Sequence, residues 1–154
     1  MNPDLMLRVI QLARESATSG GGPFGALLAD GDRIVAEGHN RVVLDRDPSA
    51  HAEVVALRAA ARELGTHELH GLVLYTSCEP CPMCLGAAWW ARVDRILYAA
   101  SRAEAARAGF DDAELYAEVA RPLGQRVLPI ERLLPREGAL PFQDWLDNEG
   151  RTPY

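Results

Sequence analysis

The stretch Thr76–Cys84, TSCEPCPMC, holds all three cysteines of a 154-residue chain. Thiols that close together serve a metal, a redox exchange or a nucleophile, and each use needs different neighbours. Cys81 and Cys84 stand three residues apart at the head of an apolar run. On a helix their sulfurs would leave one face near its N-terminus. Free backbone N–H groups and the positive end of the helix dipole stabilise thiolates there. A CxxC pair supplies two ligands, whereas a zinc site takes three or four. Cys78 could be a further ligand, but it precedes Pro80 and falls outside that helical face.

The better third donor is His51, at the first turn of a second helix in PSAHAEVVAL. Two helices that each start at a strand's carboxyl end can aim their N-termini at one point, the usual place for sites in open α/β sheets. His51, Cys81 and Cys84 then form a three-ligand set whose fourth position is left for water, the pattern of catalytic zinc. Glu53, two residues after His51, is placed to take a proton from that water and pass it to a leaving group. Other readings explain less. A redox CxxC leaves His51 and Glu53 without a role. A closed structural zinc would need Cys78 as its fourth ligand. A nucleophilic Cys81 with His51 as base gives Cys84 no purpose. Cys78 itself reads as a small buried side chain at a strand end.

These residues need elements to position them. Residues 3–17 carry an apolar stripe of helical period, ended by Thr18-Ser19-Gly20-Gly21-Gly22. GALLADGDRIVAEGHN reads as two strands turning at Asp30-Gly31-Asp32, and NRVVLDRDPSA as a loop. HAEVVALRAAARELG is an amphipathic helix, with Ser49 as its expected cap and Gly65 after its last turn. GLVLYTS is a β-rich run, followed by a cysteine helix with Pro80 at its first position. RILYAA is a further strand, EAARAGFDDAELYAEVA reads as helix, turn, helix, and QRVLPI could add a strand. A last helix is expected near 142–148. Strands alternating with helices imply an α/β sandwich with helices on both faces of one sheet.

The totals agree with a single domain spanning 1–154: 48% of residues are apolar and 25% charged. The opening MNPDLMLRVIQLARESATSG is broken by charges and reads as a helix, not a leader. No apolar run is long enough to span a bilayer. A cytoplasmic protein with reduced thiols is expected. A net charge of −6 favours small substrates over nucleic acid.

His51-Ala52-Glu53 followed by Pro80-Cys81-Pro82-Met83-Cys84 resembles the H-x-E…P-C-x-x-C signature of the zinc-dependent cytidine deaminase superfamily. That resemblance implies a three-layer sandwich around a mixed five-stranded sheet, one zinc ion per chain, and hydrolytic removal of a ring amine with Glu53 as proton shuttle. The likeness runs over nearly the whole chain and is closest to the bacterial guanine deaminases. It is carried by GGPFGALL, GHNRVV, HAEVVALR, LYTSCEPCPMCLGA, WWAR, AGFDD and the terminal Tyr154. The reaction implied is guanine to xanthine plus ammonia. The resemblance further implies that Phe24 packs on the ring, Asn40 hydrogen-bonds the base and Asp112 meets the purine amine, and it brings Ala52 into the substrate-binding set. The segment 130–154, with Tyr154, is expected to close the pocket, from its own chain or from the partner in a homodimer. Of the two tryptophans after the cysteine helix, Trp90 is the better candidate for lining the pocket and Trp89 for the core.

Plainer roles exist for several of these. Asn40 suits a turn, Phe24 a core position, Asp111 or Asp112 a helix cap, and Tyr154 a frayed end. Two rival functions also share the motifs. A tRNA adenosine deaminase carries HAE and PCxxC, but the chain is acidic and its tail mixed to acidic. Enzymes acting on guanosine, another aminopurine or a triazine differ only in pocket volume. A zinc-stabilised binding module would have no use for Glu53.

Overall fold

The computed structural model describes residues 1–153; Tyr154 lies outside the described residues. The described residues divide into two compact units, one over 1–119 and one from 120 onward. The first unit opens with α1 (Pro3–Thr18), capped by the Asn2 side chain, which accepts from the Asp4 N–H, and begun by Pro3. The hairpin β1 (Gly25–Asp30) and β2 (Arg33–His39) follows. Gly31 takes its turn at φ +59°, a left-handed conformation that suits glycine. A short α2 (Val42–Asp45) stands where a plain loop was expected, closed by Arg41 donating two N–H groups to Asp45. Then come α3 (Ala52–Leu64), β3 (Val73–Cys78), α4 (Pro82–Trp90), β4 (Arg95–Ala100), α5 (Arg102–Arg107) and α6 (Ala113–Ala120).

The sheet order is β2-β1-β3-β4, with β3 and β4 parallel and the other pairs antiparallel. Alternation sorts its side chains by face. Ala26, Leu28 and Leu74 join Ala52, Ala56 and Ala60 of α3 in one core, while Leu27, Ala29 and Tyr75 pack with Leu5 and Val9 of α1 in another. Covered on both sides, β1 is buried at every position but its last and reads as an unbroken apolar run. The three-layer α/β sandwich is therefore present, but with four strands among the described residues and not five. The expected extra strand, 125–130, lies in the second unit as the end of a 3-10 turn (Leu123–Gln125) and irregular backbone. Pro129 gives that run no N–H for a ladder, and Pro122 caps the turn before it. The second unit also holds α7 (Leu140–Asp147), the last helix expected from the sequence.

Two close approaches fix the layers around the site. A Cβ on Gly25 would lie 2.6 Å from the Val9 carbonyl, and one on Gly38 would lie 2.5 Å from that of Ala52. The sheet thus touches both helices backbone to backbone. No helix is long and apolar enough to cross a membrane among the described residues.

Candidate active site

Because β1 is antiparallel to β3, its start meets the end of β3: Ala26 pairs with Thr76, and Gly25 with His39 of β2. The Gly25 N–H donates to Ser77 Oγ at 3.0 Å, and the Asn40 N–H to the Phe24 carbonyl at 3.0 Å. One edge of the sheet therefore gathers the Gly-rich loop, Asn40 and the turn Cys78–Cys81. Both helices that start there place a site residue at the N-cap. His51 caps α3 and Cys81 caps α4, each with extended backbone and neither with a side-chain cap bond. Their side chains turn to each other instead. His51 Nδ1 lies 3.6 Å from Cys81 Sγ and 3.5 Å from Cys84 Sγ.

The donor atoms of His51, Cys81 and Cys84 all lie within 4.8 Å of one another. In tetrahedral zinc, with bonds of about 2.0 Å to nitrogen and 2.3 Å to sulfur, neighbouring donors stand about 3.5 Å apart. Two sulfurs and one imidazole at these separations fit zinc in type, number and spacing. Electrostatics agree. The Cys84 side chain, with His51 beside it, pulls the Cys81 thiol down to about 4 against the cost of burial. Cys81, burial and the nearby Glu53 push the Cys84 thiol up. His51 is raised, chiefly by its bond to Cys81. Cys78 stands apart from the donor group: burial holds its thiol at about 11, and it donates to the Ser101 carbonyl at 3.8 Å.

Glu53, in the first turn of α3, is 5% exposed. Thr76 Oγ1 donates to its Oε1 at 3.0 Å, and the Cys84 thiol to its Oε2 at 3.4 Å. Burial raises its pKa, with those hydrogen bonds opposing. A carboxyl that holds its proton more tightly than usual, beside a three-donor cluster, has the properties of a general acid and base.

A cavity of about 460 Å³ opens over this cluster, with His51, Glu53 and Cys81 in its wall. Phe24 and Asn40 line it, and so does Asp112, whose pKa burial and the Cys81 sulfur raise. Asn40 Oδ1 lies 3.2 Å from the Gly22 N–H and 3.3 Å from the Val42 N–H. Both partners are donors, so the oxygen must face them and the amide nitrogen is left as the donor. Ala52 is fully buried in the α3 core and does not line the cavity with its side chain. Trp90 is not in the cavity wall either. It ends α4, 61% exposed, while the site sits at the start of that nine-residue helix. At 1.5 Å per residue the two are more than 10 Å apart. Trp89 is 72% exposed and so not in the core. Tyr154 lies outside the described residues.

The sequence did not single out Phe110, Glu79 or Thr76. Phe110 meets Phe24 edge to face, centroids 5.0 Å apart, and both it and Glu79 line the cavity. The signal for Phe110 lies in AGFDD, where it directly precedes Asp111 and Asp112.

Comparison with known proteins follows the same residues. The family model of the cytidine and deoxycytidylate deaminase zinc-binding region matches residues 2–100. The chain belongs to this deaminase family. Over 156 aligned residues, covering all of both chains, it is 46% identical to the guanine deaminase of Bacillus subtilis (strain 168). A crystal structure of guanine deaminase from Bacillus subtilis superposes with a TM-score of 0.96 at 45% identity, over 100% of this chain and 99% of that one. The tRNA-specific adenosine deaminase of Haemophilus influenzae is 39% identical over 98 residues, 63% of this chain and 57% of that protein. As a member of the family the chain is a zinc-dependent aminohydrolase, and His51, Cys81 and Cys84 are the donors placed to hold the metal.

Proposed function

We propose that the chain hydrolyses guanine to xanthine and ammonia. The observation that carries the reading is the Glu53 carboxyl, buried and fixed by Thr76 beside the three donors, in a cavity sized for a small ring. Guanine among amines is supported by a likeness to guanine deaminase that runs the full chain, against a likeness to the adenosine deaminase that stops after 98 residues. Zinc held by His51, Cys81 and Cys84 supplies a Lewis acid that makes water a nucleophile near neutral pH.

The protein's own groups do the rest. Glu53 takes the proton of the attacking water on Oε2, the oxygen not held by Thr76, and returns it to the departing amine. One water is consumed and one ammonia leaves. Phe24 packs on the ring face and Phe110 stands edge-on behind it. Asn40 donates from its amide nitrogen to an acceptor on the base, while Asp112 accepts from a ring N–H or amine. Ala52 contributes its backbone N–H at the free first turn of α3. The likeness beyond residue 119 supports a part for the C-terminal segment, with Tyr154, in the same reaction. The working form is a homodimer in the cytoplasm, a reducing setting that suits three free thiols.

The deciding experiment is ammonia release by the zinc-loaded protein from guanine, with guanosine, adenine, cytosine and cytidine alongside. Turnover of guanine well above the rest is expected. Guanine left untouched while another of these is deaminated would overturn the substrate and leave the metal site standing.

A further inference from the structure

Asp112 and Phe110 reach the cavity from the turn between α5 and α6, a segment with no buried residue. Neither α5 nor α6 contributes a buried residue. Segments with so few buried contacts lie at the low-stability end of a fold and open locally at small cost. A group that must meet a ring to within a fraction of an ångström needs firmer anchoring, because small misplacements are costly.

Tyr116 supplies it from both ends. Its phenol O–H donates to the Pro80 carbonyl at 2.7 Å, and its backbone N–H donates to the Asp112 carbonyl at 3.0 Å. Pro80 immediately precedes Cys81, so one residue joins the carboxyl-bearing turn to the metal-binding turn. Arg102, at the start of α5, braces the joint, its guanidinium 4.8 Å from the centre of the Tyr116 ring. The Arg102 N–H donates to Glu79 Oε2 at 3.2 Å, and the Glu79 N–H to the Ala100 carbonyl at 2.8 Å. These polar ties run between the turn Cys78–Cys81 and the starts of α5 and α6.

We propose that Tyr116 is a positioning residue, which by gripping the Pro80 carbonyl and the Asp112 main chain holds Asp112 against the donor cluster. It is not one of the three donors and does not line the cavity; it acts through Asp112. The inference rests on the reading of Asp112 as a substrate contact, and its test separates the two. Tyr116→Phe removes one hydroxyl and leaves the ring under Arg102.

Hydrogen exchange comes first, because it needs no substrate. Amides of residues 110–116 should exchange about fivefold faster in Tyr116→Phe, the equivalent of one neutral hydrogen bond, while those of β3 stay unchanged. Zinc should remain at one ion per chain. Unchanged exchange at 110–116 would overturn the tether whatever the substrate proves to be. The second arm is a double-mutant cycle on guanine turnover. Tyr116→Phe alone should lower kcat/KM about fivefold, and in an Asp112→Ala background it should cost nearly nothing more. Full additivity would overturn action through Asp112. Failure of the unaltered protein to deaminate guanine would sink the proposed function instead, and the exchange result would still decide the tether.

Discussion

In the proposed reaction Glu53 has to hold a proton long enough to carry it and weakly enough to give it up. In water a carboxyl releases it too readily. Here burial raises the pKa, and the Thr76 hydroxyl fixes one oxygen so that the other faces the Cys84 side. Replacing Glu53 by Gln keeps the shape and removes the carrier. Glu53→Gln should retain one zinc per chain and the same urea midpoint, while kcat falls by about 10²–10⁴. Metal analysis and steady-state kinetics on one preparation decide it; undiminished turnover would mean that some other group moves the proton. Cys78 is the complementary case. Its thiol is held protonated by burial and is bonded to the Ser101 carbonyl, away from the donor cluster. Cys78→Ala should therefore still bind one zinc, and loss of the metal would move Cys78 into the ligand set.

At the scale of elements, the site is as good as the seating of α3, which carries both His51 and Glu53. Gly38 of β2 allows that seating, since a Cβ there would lie 2.5 Å from the Ala52 carbonyl and 2.7 Å from the Ala56 nitrogen. Backbone cannot yield as a flexible side chain can. Gly38→Ala should cost about 1–3 kcal/mol in urea unfolding and weaken zinc binding as the helix start is displaced; a neutral result would show that the sheet and helix can part freely. On the other face, Arg8 of α1 donates two N–H groups to Glu37 of β2, both at 2.7 Å. That bond lowers the Glu37 pKa, so its stabilisation is present above the ordinary Glu value of about 4.3 and is lost as pH falls through the lower folded value. Solvent reaches both side chains, so Arg8→Gln should cost at most about 1 kcal/mol. The gap in urea midpoint between variant and parent should hold from pH 7 to 6 and shrink as pH falls below the ordinary Glu value. A gap independent of pH would exclude the ion pair as its source. These elements also show what was legible in the sequence. Periodicity placed α1 and the strands of the hairpin, because apolar spacing is what builds their buried faces. The helix starts at the site were misplaced. Ser49 was the expected cap of α3, yet its hydroxyl and N–H both donate to Asp47 and His51 takes the position; Pro82, not Pro80, opens α4. Capping preference fails where the cap position is given to a metal donor, as local rules tend to fail at functional sites. Thr76 could not be foreseen, because its role comes from facing α3 across the core. The Trp90 ring would suit a pocket wall, but helix length carries it away from the cavity.

At the scale of the whole molecule, apolar surface is the feature left unexplained by one chain. No residue from 120 to 153 is buried, and Leu133 and Phe142 are 85% and 72% exposed. In the first unit Trp89 and Trp90, at the end of α4, are 72% and 61% exposed. Soluble monomers seldom leave so many large apolar side chains in water, and such surface marks an interaction site. A second copy is the partner that needs no further component. Light scattering on the eluting protein should then give twice the 16.8 kDa of one chain at micromolar concentration. Leu133→Ser combined with Phe142→Ser should shift that mass towards one chain while leaving one zinc per chain, since all three donors belong to the first unit. If the unaltered protein is monomeric at tens of micromolar, the homodimer is wrong. If the double variant becomes monomeric and guanine turnover falls with it while zinc stays, then activity needs the pairing and not only the metal. That pattern would assign the C-terminal segment a part in the reaction.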